Sequence, residues 1–324
     1  MADLTLRYLS RSDVESLAIS MDAVIRAVEG ALREKGEGTA EMPPKPGIHP
    51  LPDAFIHAMP AFLSGAGAAG LKWVSGFPQN LERGLPYISG LFVLNDVKTG
   101  VPLSVMDCTW ITGMRTGAAS AVAAKYLARP ESSTAGIVAC GLQGRTNLEA
   151  LSCLFPLNRV HAFDIDPAIA LAYAEEMGEK LDLEVTPVGR VEEAVRGMDL
   201  VVTSGPILKE PTPSIPAGWL DPGSFACPLD FDSYWTGEAL AEPEKLATDD
   251  QAQLAYYRTA GYFGQTPEPY ADLGEIVTGT ALGRESPEER TMSLNLGLAI
   301  EDVATARIIY QRALEGGVGL DLPL

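Results

Sequence analysis

The stretch that decides the fold is Val105–Gly144, VMDCTWITGMRTGAASAVAAKYLARPESSTAGIVACGLQG. An apolar helical pattern opens just after Arg115-Thr116 and runs through Tyr126; a short linker then leads to the strand-like GIVAC and a turn ending at Gly144. Strand, turn and helix in that order suit a dinucleotide pyrophosphate, which needs close backbone approach and the positive end of a helix. The turn departs from the G-x-G-x-x-G spacing once. Ala139 holds the first position, while Gly141 and Gly144 hold the second and third, with Leu142 and Gln143 between them. Twenty residues beyond Gly144, the run RVHAFDIDP closes on Asp164. A carboxylate there accepts hydrogen bonds from ribose hydroxyls and repels a 2′-phosphate. Ile165 and Asp166 follow it, so no basic side chain stands ready for that phosphate. The expected cofactor is NAD(H).

Outward from this stretch the texture differs on the two sides. From about Thr134 strands and helices alternate, with GIVAC, RVHAFDI, LEVTPV, DLVVTSG and SFACPLD as strands and LATDD as a further one. That alternation predicts a doubly wound parallel sheet of the Rossmann type, an α/β fold. Before it, Ser12-Asp13-Val14-Glu15 reads as a capping box and MDAVIRAVEGALREK as an amphipathic helix. The strand-like runs AFIHAMPAF, GLKWVSGF, YISGLFVLND and VPLSVMD come next, the last two flanking the turn VKTG. Helices followed by strands predict an α+β domain with a mostly antiparallel sheet. The C-terminal MSLNLGLAIEDVATARIIYQRAL reads as one long helix returning to that first domain. The expected division is therefore 1–115 plus about 296–324, for substrate binding and dimerisation, and 116–295 for NAD.

The 324 residues suffice for two domains, and 46% hydrophobic with 21% charged residues is a globular balance. No apolar run approaches the roughly 20 residues that span a bilayer, and MADLTLRYLS has no basic and apolar leader pattern. A cytoplasmic protein is expected. With 24 basic against 43 acidic residues, the net charge of −19 opposes binding to nucleic acid or to anionic membranes. Cys108, Cys140, Cys153 and Cys227 have no C-x-x-C spacing, and His49, His57 and His161 no metal-ligand spacing. Neither a disulfide framework nor a metal is expected.

Three cations and one acid stand where chemistry could use them. Lys72 lies mid-strand among apolar or small neighbours, where a charge needs a partner if it points inward. The pleat alone leaves open whether Lys72 points in, or Leu71 and Trp73 do. Arg115 suits bidentate grip on a carboxylate or pyrophosphate, while Lys45, in EMPPKPG, reads by default as a loop lysine. Asp230 ends the fifth parallel strand, the end at which such sheets bind ligands, and is a candidate for proton transfer. Asp232, two residues on, reads more readily as a loop aspartate.

The sequence resembles the ornithine cyclodeaminase/mu-crystallin family along nearly its whole length. The matching motifs are LKWVSGFPQN, ITGMRTGAASAVAAKYLARP, FDIDP, GRESP and NLGLAIEDVA. The resemblance implies a Rossmann domain joined to an α/β domain that dimerises through its sheet. It also implies that Lys72 contacts the substrate, that Arg115 grips its carboxylate, and that Asp164 holds the ribose; Lys45 and His57 are further candidates, from their own charge, for holding a dicarboxylic imino acid. Asp230 falls where cyclodeaminases place a catalytic aspartate. Cofactor contacts are expected at Arg115, Thr116, Gly141, Leu142, Gln143, Asp164, Ile165, Thr203, Ser204 and Asn295. Two departures bear on the reaction. His57 stands two residues before Met59-Pro60, where ornithine cyclodeaminases carry a glutamate, and PLDFDSYWTGEAL lacks the glycines and lysine that flank their aspartate.

These departures fall where recognition of a distal amine would be expected. The leading expectation is therefore a net NAD-dependent reductase or dehydrogenase that interconverts an L-amino acid with its imino or 2-oxo acid, Asp230 or His57 moving the proton. Alanine dehydrogenase, ketimine reductase and iminosuccinate reductase activities all fit. The alternatives are an ammonia-releasing cyclodeaminase that recycles bound NAD, and a cofactor-dependent binding protein of the mu-crystallin type.

Overall fold

A computed structural model describes residues 4–51 and 53–324, so the head of MADLTLRYLS and Pro52 of the proline-rich segment lie outside the described residues. The chain begins with β1 (Thr5–Leu9), α1 (Arg11–Ser16), α2 (Met21–Gly36), β2 (Ala40–Glu41) and β3 (Gly47–Ile48). Then come β4 (Phe55–Leu63), β5 (Ala68–Gly76), β6 (Ile88–Asn95), β7 (Pro102–Asp107) and α3 (Thr109–Leu127). An alternating stretch follows: β8 (Thr134–Val138), α4 (Leu142–Leu154), β9 (Arg159–Phe163), α5 (Pro167–Leu181), β10 (Glu184–Pro187), β11 (Leu200–Thr203) and β12 (Phe225–Pro228). The chain continues with α6 (Gly237–Leu240), β13 (Lys245–Thr248), α7 (Gln251–Thr259), β14 (Ala271–Asp272), α8 (Leu273–Thr278) and β15 (Thr291–Leu294). It closes with α9 (Ala299–Gly316) and β16 (Leu320–Pro323). Two compact units result: one runs to Arg115 and resumes at Leu298–Leu324, and the other is Thr116–Gly297. The division falls inside α3, between Arg115 and Thr116.

The first unit is built on a sheet ordered β16-β1-β7-β6-β5-β4-β2, with β3 paired to β4. From β4 to β7 it is an antiparallel meander, and β1 joins it parallel to β7. Its helical layer is α9, which packs on β4, β5 and β6 and carries α2 behind it. The face of α2 that is buried repeats at helical spacing (Met21, Val24, Ile25, Val28, Ala31, Leu32), and Ser20 caps its N-terminus by accepting from Ala23 N–H. Alternation along β5 sends Lys72 and Val74 inward and leaves Trp73 47% exposed, which decides the orientation that the pleat left open. One capping box differs from expectation. The cap of α1 is Ser10, reciprocally bonded with Asp13, because Ser12 already lies within the helix.

In the second unit all paired strands run parallel in the order β10-β9-β8-β11-β12-β15-β13-β14. The order reverses between β8 and β11, the place where doubly wound sheets bind nucleotides at their carboxyl ends. LATDD does form a strand, β13, but β15 lies between it and β12. That interposed strand corrects the reading of the C-terminal run as one helix. Met292-Ser293-Leu294 belong to β15, Gly297 turns with φ +84°, and α9 starts only at Ala299. The apolar run from Met292 satisfies a buried parallel strand as well as a helix, and only the left-handed glycine marks the join.

The other correction concerns α3. It begins at Thr109, so Arg115 and Thr116 lie within the helix and not before it. Asp107 is responsible: its Oδ1 accepts from the backbone N–H of Thr109 (3.0 Å) and Trp110 (3.4 Å), donors that a helix start leaves without internal partners. Among the described residues no helix is long and apolar enough to cross a membrane.

Candidate active site

In the first unit four charged side chains meet with almost no solvent contact. Lys72 (1% exposed) donates from Nζ to Asp302 Oδ1 at 2.8 Å and to Thr112 Oγ1 at 3.4 Å. Arg115 donates from Nη1 to Glu301 Oε2 at 2.8 Å, and its Nε lies 3.1 Å from the same Asp302 Oδ1. Glu301 and Asp302 sit in the first turn of α9, where backbone N–H groups favour negative charge, and Glu301 Oε2 accepts from Leu298 N–H at 3.1 Å. Burial pulls the Lys72 ammonium below its ordinary range; Asp302 opposes that and Arg115 adds to it. Burial pushes the Glu301 carboxyl up against the pull of Arg115. Glu301 Oε1 and Asp302 Oδ2 are buried without a hydrogen-bond partner in this structure.

His57 and Lys45 belong to the same unit. The His57 ring stacks on Phe55 (4.3 Å, 20°) and lies so close to Gly47 that a Cβ there would come within 2.3 Å of it. Burial first, then the charges of Lys45, His49 and Lys72, lower its pKa to about 3, so the ring stays neutral at physiological pH. Lys45 is 8% exposed, which corrects its default reading as a solvated loop lysine: the segment before β3 folds its side chain inward. Lys45, His57 and Lys72 thus share one electrostatic neighbourhood.

In the second unit the glycine turn follows β8. Ala139 adopts φ +73°, doing with a Cβ what a first glycine does without strain. A Cβ on Gly144 would stand 2.6 Å from Ala139 O, so the third glycine is required for helix–strand packing. A Cβ on Gly141 would meet no atom within 4 Å, so this glycine answers to nothing in the protein's own packing. Gly141 is the N-cap of α4, whose first turn contains Leu142 and Gln143. Asp164 accepts from Cys140 N–H at 2.9 Å, which ties the end of β9 to the turn, and Ile165 beside it is exposed. Ser204, after β11, donates to Ala139 O at 3.1 Å. Backbone approach at Gly141, a helix N-terminus and a carboxylate at the next strand end fit a dinucleotide lacking a 2′-phosphate.

Asp230 lies at the same end of this sheet, two residues past β12, and is fully buried. Trp235 Nε1–H donates to Thr203 Oγ1 (3.1 Å), Thr203 donates to Asp230 Oδ1 (2.9 Å), and Gly205 N–H donates to Oδ2 (3.2 Å). Burial outweighs these bonds and raises the Asp230 pKa to about 7. The next residue, Phe231, is held at φ +60° by a packed cluster with Tyr257, Tyr262 and Phe263. Backbone strain of this kind costs about 1–3 kcal/mol and persists where the surroundings over-determine it. Asp232 is half-buried, its carboxyl also raised by burial.

The structure therefore groups the expected residues in two sets. Lys45, His57, Lys72 and Arg115 lie in the first unit; Thr116, Gly141, Leu142, Gln143, Asp164, Ile165, Thr203, Ser204, Asp230 and Asn295 lie in the second. Asn295 is nearly buried, with its side-chain oxygen accepting from Ser293 at 2.7 Å. Sequence reasoning assigned no role to Glu301 and Asp302. The signal was there, two adjacent acids in the small and apolar run GLAIEDVATA, where a solvated charge is out of place.

Similarity to known proteins spans nearly the whole chain. The alanine dehydrogenase of Archaeoglobus fulgidus is 39% identical over 323 residues, covering 96% of each chain. The structure of Thermococcus litoralis Delta(1)-pyrroline-2-carboxylate reductase, in complex with NADH and L-proline, superposes with a TM-score of 0.88 at 37% identity, covering 98% of this chain and 100% of that one. An archaeal alanine dehydrogenase dimer with bound NAD gives a TM-score of 0.88 at 36% identity, with 99% and 100% covered. Residues 7–317 match the ornithine cyclodeaminase/mu-crystallin family, and the chain belongs to it.

Proposed function

We propose that this protein is an NAD(H)-dependent oxidoreductase that interconverts an L-amino acid with its imino or 2-oxo acid. The observation that carries the reading is Asp230. A buried carboxyl with a pKa of about 7, at the ligand-binding end of a parallel sheet with a dinucleotide turn, is poised to give or take a proton at neutral pH. Full-length similarity to an alanine dehydrogenase and a pyrroline-2-carboxylate reductase supports the same chemistry.

In this reading the turn Ala139–Gly144, Asp164 and Ile165 hold NAD(H), with Thr116, Thr203, Ser204 and Asn295 as further contacts. The cofactor supplies the hydride equivalent for the carbon that bears nitrogen. Arg115 and Lys72 bind the substrate carboxylate, and Lys45 adds positive charge beside them. Asp230 moves the proton, held in place by Thr203 and Gly205. His57 is a poor proton carrier, because its neutral ring takes up a proton only near pH 3. Its place as a wall stacked on Phe55 also offers no anion to a distal ammonium, which disfavours cyclodeamination of a diamino acid.

We also propose a homodimer formed through the outer face of the first unit's sheet. Trp73 and Leu91 are register partners on that face and are 47% and 46% exposed, with Leu71, Val93 and Val105 beside them. The archaeal alanine dehydrogenase is itself a dimer.

The reading is tested by offering purified protein NADH with ammonia and a panel of 2-oxo acids, and NADH with cyclic imino acids. Consumption of NADH with at least one of them is expected. Ammonia release from ornithine with catalytic NAD, and inertness toward the panel, would assign the cyclodeaminase reaction instead.

A further inference from the structure

We infer that Asp302 is a positioning residue which, through one carboxylate oxygen, fixes the ammonium of Lys72 and the guanidinium of Arg115 as a single cationic unit. The inference rests on the proposal that these two cations bind the substrate carboxylate. Asp302 Oδ1 accepts a hydrogen bond from Lys72 Nζ at 2.8 Å and lies within ion-pair distance, 3.1 Å, of Arg115 Nε. Glu301 touches Arg115, and Thr112 stands only at hydrogen-bond limit from Lys72. Asp302 is therefore the shared link.

Its effect on Lys72 is electrostatic as well as geometric. An ammonium that is 1% exposed loses its hydration, and burial by itself favours the neutral amine. The groups that face Lys72 from the neighbouring elements are Asp302 on α9, Thr112 and Arg115 on α3 and Cys108 just before it; His57 on β4 feels its charge. Of these, Arg115 repels the ammonium, and Cys108, itself raised to about 12 by burial, is a neutral thiol at pH 7. Asp302 is the carboxylate in contact. As a carboxylate, Asp302 would repel the substrate's own carboxylate, so it acts on the substrate through the two cations.

The test is a titration of lysine ε-carbons, labelled with carbon-13, in the full-length wild type, Asp302→Asn and Asp302→Glu proteins, with Lys72→Arg identifying the Lys72 resonance. In Asp302→Asn the Lys72 midpoint is expected to fall by about one pH unit or more, a tenfold change in acid constant. The Michaelis constant for the acid substrate should rise and kcat fall, while NADH affinity holds. Asp302→Glu should bring the Lys72 midpoint back toward wild type. An unchanged midpoint in Asp302→Asn overturns the inference. If that variant does not accumulate folded, Asp302→Ser, a smaller neutral replacement, is titrated in its place and read by the same criterion. A shifted midpoint in a protein that turns over no amino or imino acid leaves Asp302 as the partner of Lys72 and removes the functional reading instead.

Discussion

At the scale of single residues, Asp230 makes the sharpest predictions, since burial affects both catalysis and stability. Asp230→Asn should cut turnover by roughly 10²-fold or more while NADH affinity stays near wild type, because it removes proton transfer and not cofactor contacts. In the wild type the reductive rate should fall as pH rises through about 7 and the oxidative rate should rise, since each needs the opposite protonation state. The variant should lose that limb. Stability moves the other way. Both states carry the proton below the ordinary pKa of 3.8, whereas between there and about 7 the unfolded chain releases it and the folded chain keeps it. The wild type therefore loses stability as pH rises across this window, so at about pH 8 Asp230→Asn should be more stable by a few kcal/mol, converging on wild type near pH 4. Denaturant melts at the two pH values check the sign. Equal midpoints at both would remove the buried-acid account.

Cofactor choice is also a single-residue matter. Asp164 at the end of β9 should give strong preference for NADH over NADPH, and Asp164→Ser with Ile165→Arg should shift it toward NADPH. Comparable efficiency of the wild type with both cofactors would contradict the role of Asp164. Much at this scale was legible in sequence, since Asp164, Arg115, Lys72 and Asp230 each carried a positional reason. Burial was not legible. Whether Lys72 or Trp73 faced inward depended on α9, more than two hundred residues away in sequence, and nothing in EMPPKPG itself marks the inward fold of Lys45.

At the scale of elements, the turn after β8 has a graded requirement for glycine. Ala139→Gly should stabilise the protein or leave it unchanged, since it relieves a left-handed alanine at about 1 kcal/mol, offset in part by unfolded-state entropy. Gly144→Ala should lower the melting temperature and weaken NADH binding together, because its Cβ would press on Ala139 O. A Gly144→Ala protein with wild-type NADH affinity would show that the turn does not hold the dinucleotide. The GRESP motif answers to structure: Arg284 donates to the carbonyls of Leu127, Ser286, Glu289 and Ser224, bracing the end of α3 against β12 and the loop before β15. Boundaries were the least legible part. The start of α3 hung on Asp107 accepting from Thr109 and Trp110, and the end of β15 on one left-handed glycine, details that apolar periodicity does not register.

At the scale of the whole molecule, the alternating second unit was readable from its strands and helices because local pattern and tertiary burial agree there. The position of β15 inside the sheet was not, since nothing local orders parallel strands. The proposed dimer gives this scale its own prediction. Replacing Trp73 and Leu91 together by charged residues should turn a species of twice 34.4 kDa into one of 34.4 kDa in sedimentation, without loss of the helical signal. A wild type that sediments as a monomer at micromolar concentration would count against the sheet interface.

The claim that joins these scales is net redox chemistry on an amino or imino acid, and its stoichiometry is the most direct measurement. Wild-type protein, excess NADH and the best substrate of the panel are followed together, recording NADH lost and amino acid formed in one reaction vessel. One NADH oxidised for each amino acid formed is the predicted result. Amino acid formed with no net change in NADH, or NADH bound tightly and never consumed by any substrate, would contradict it.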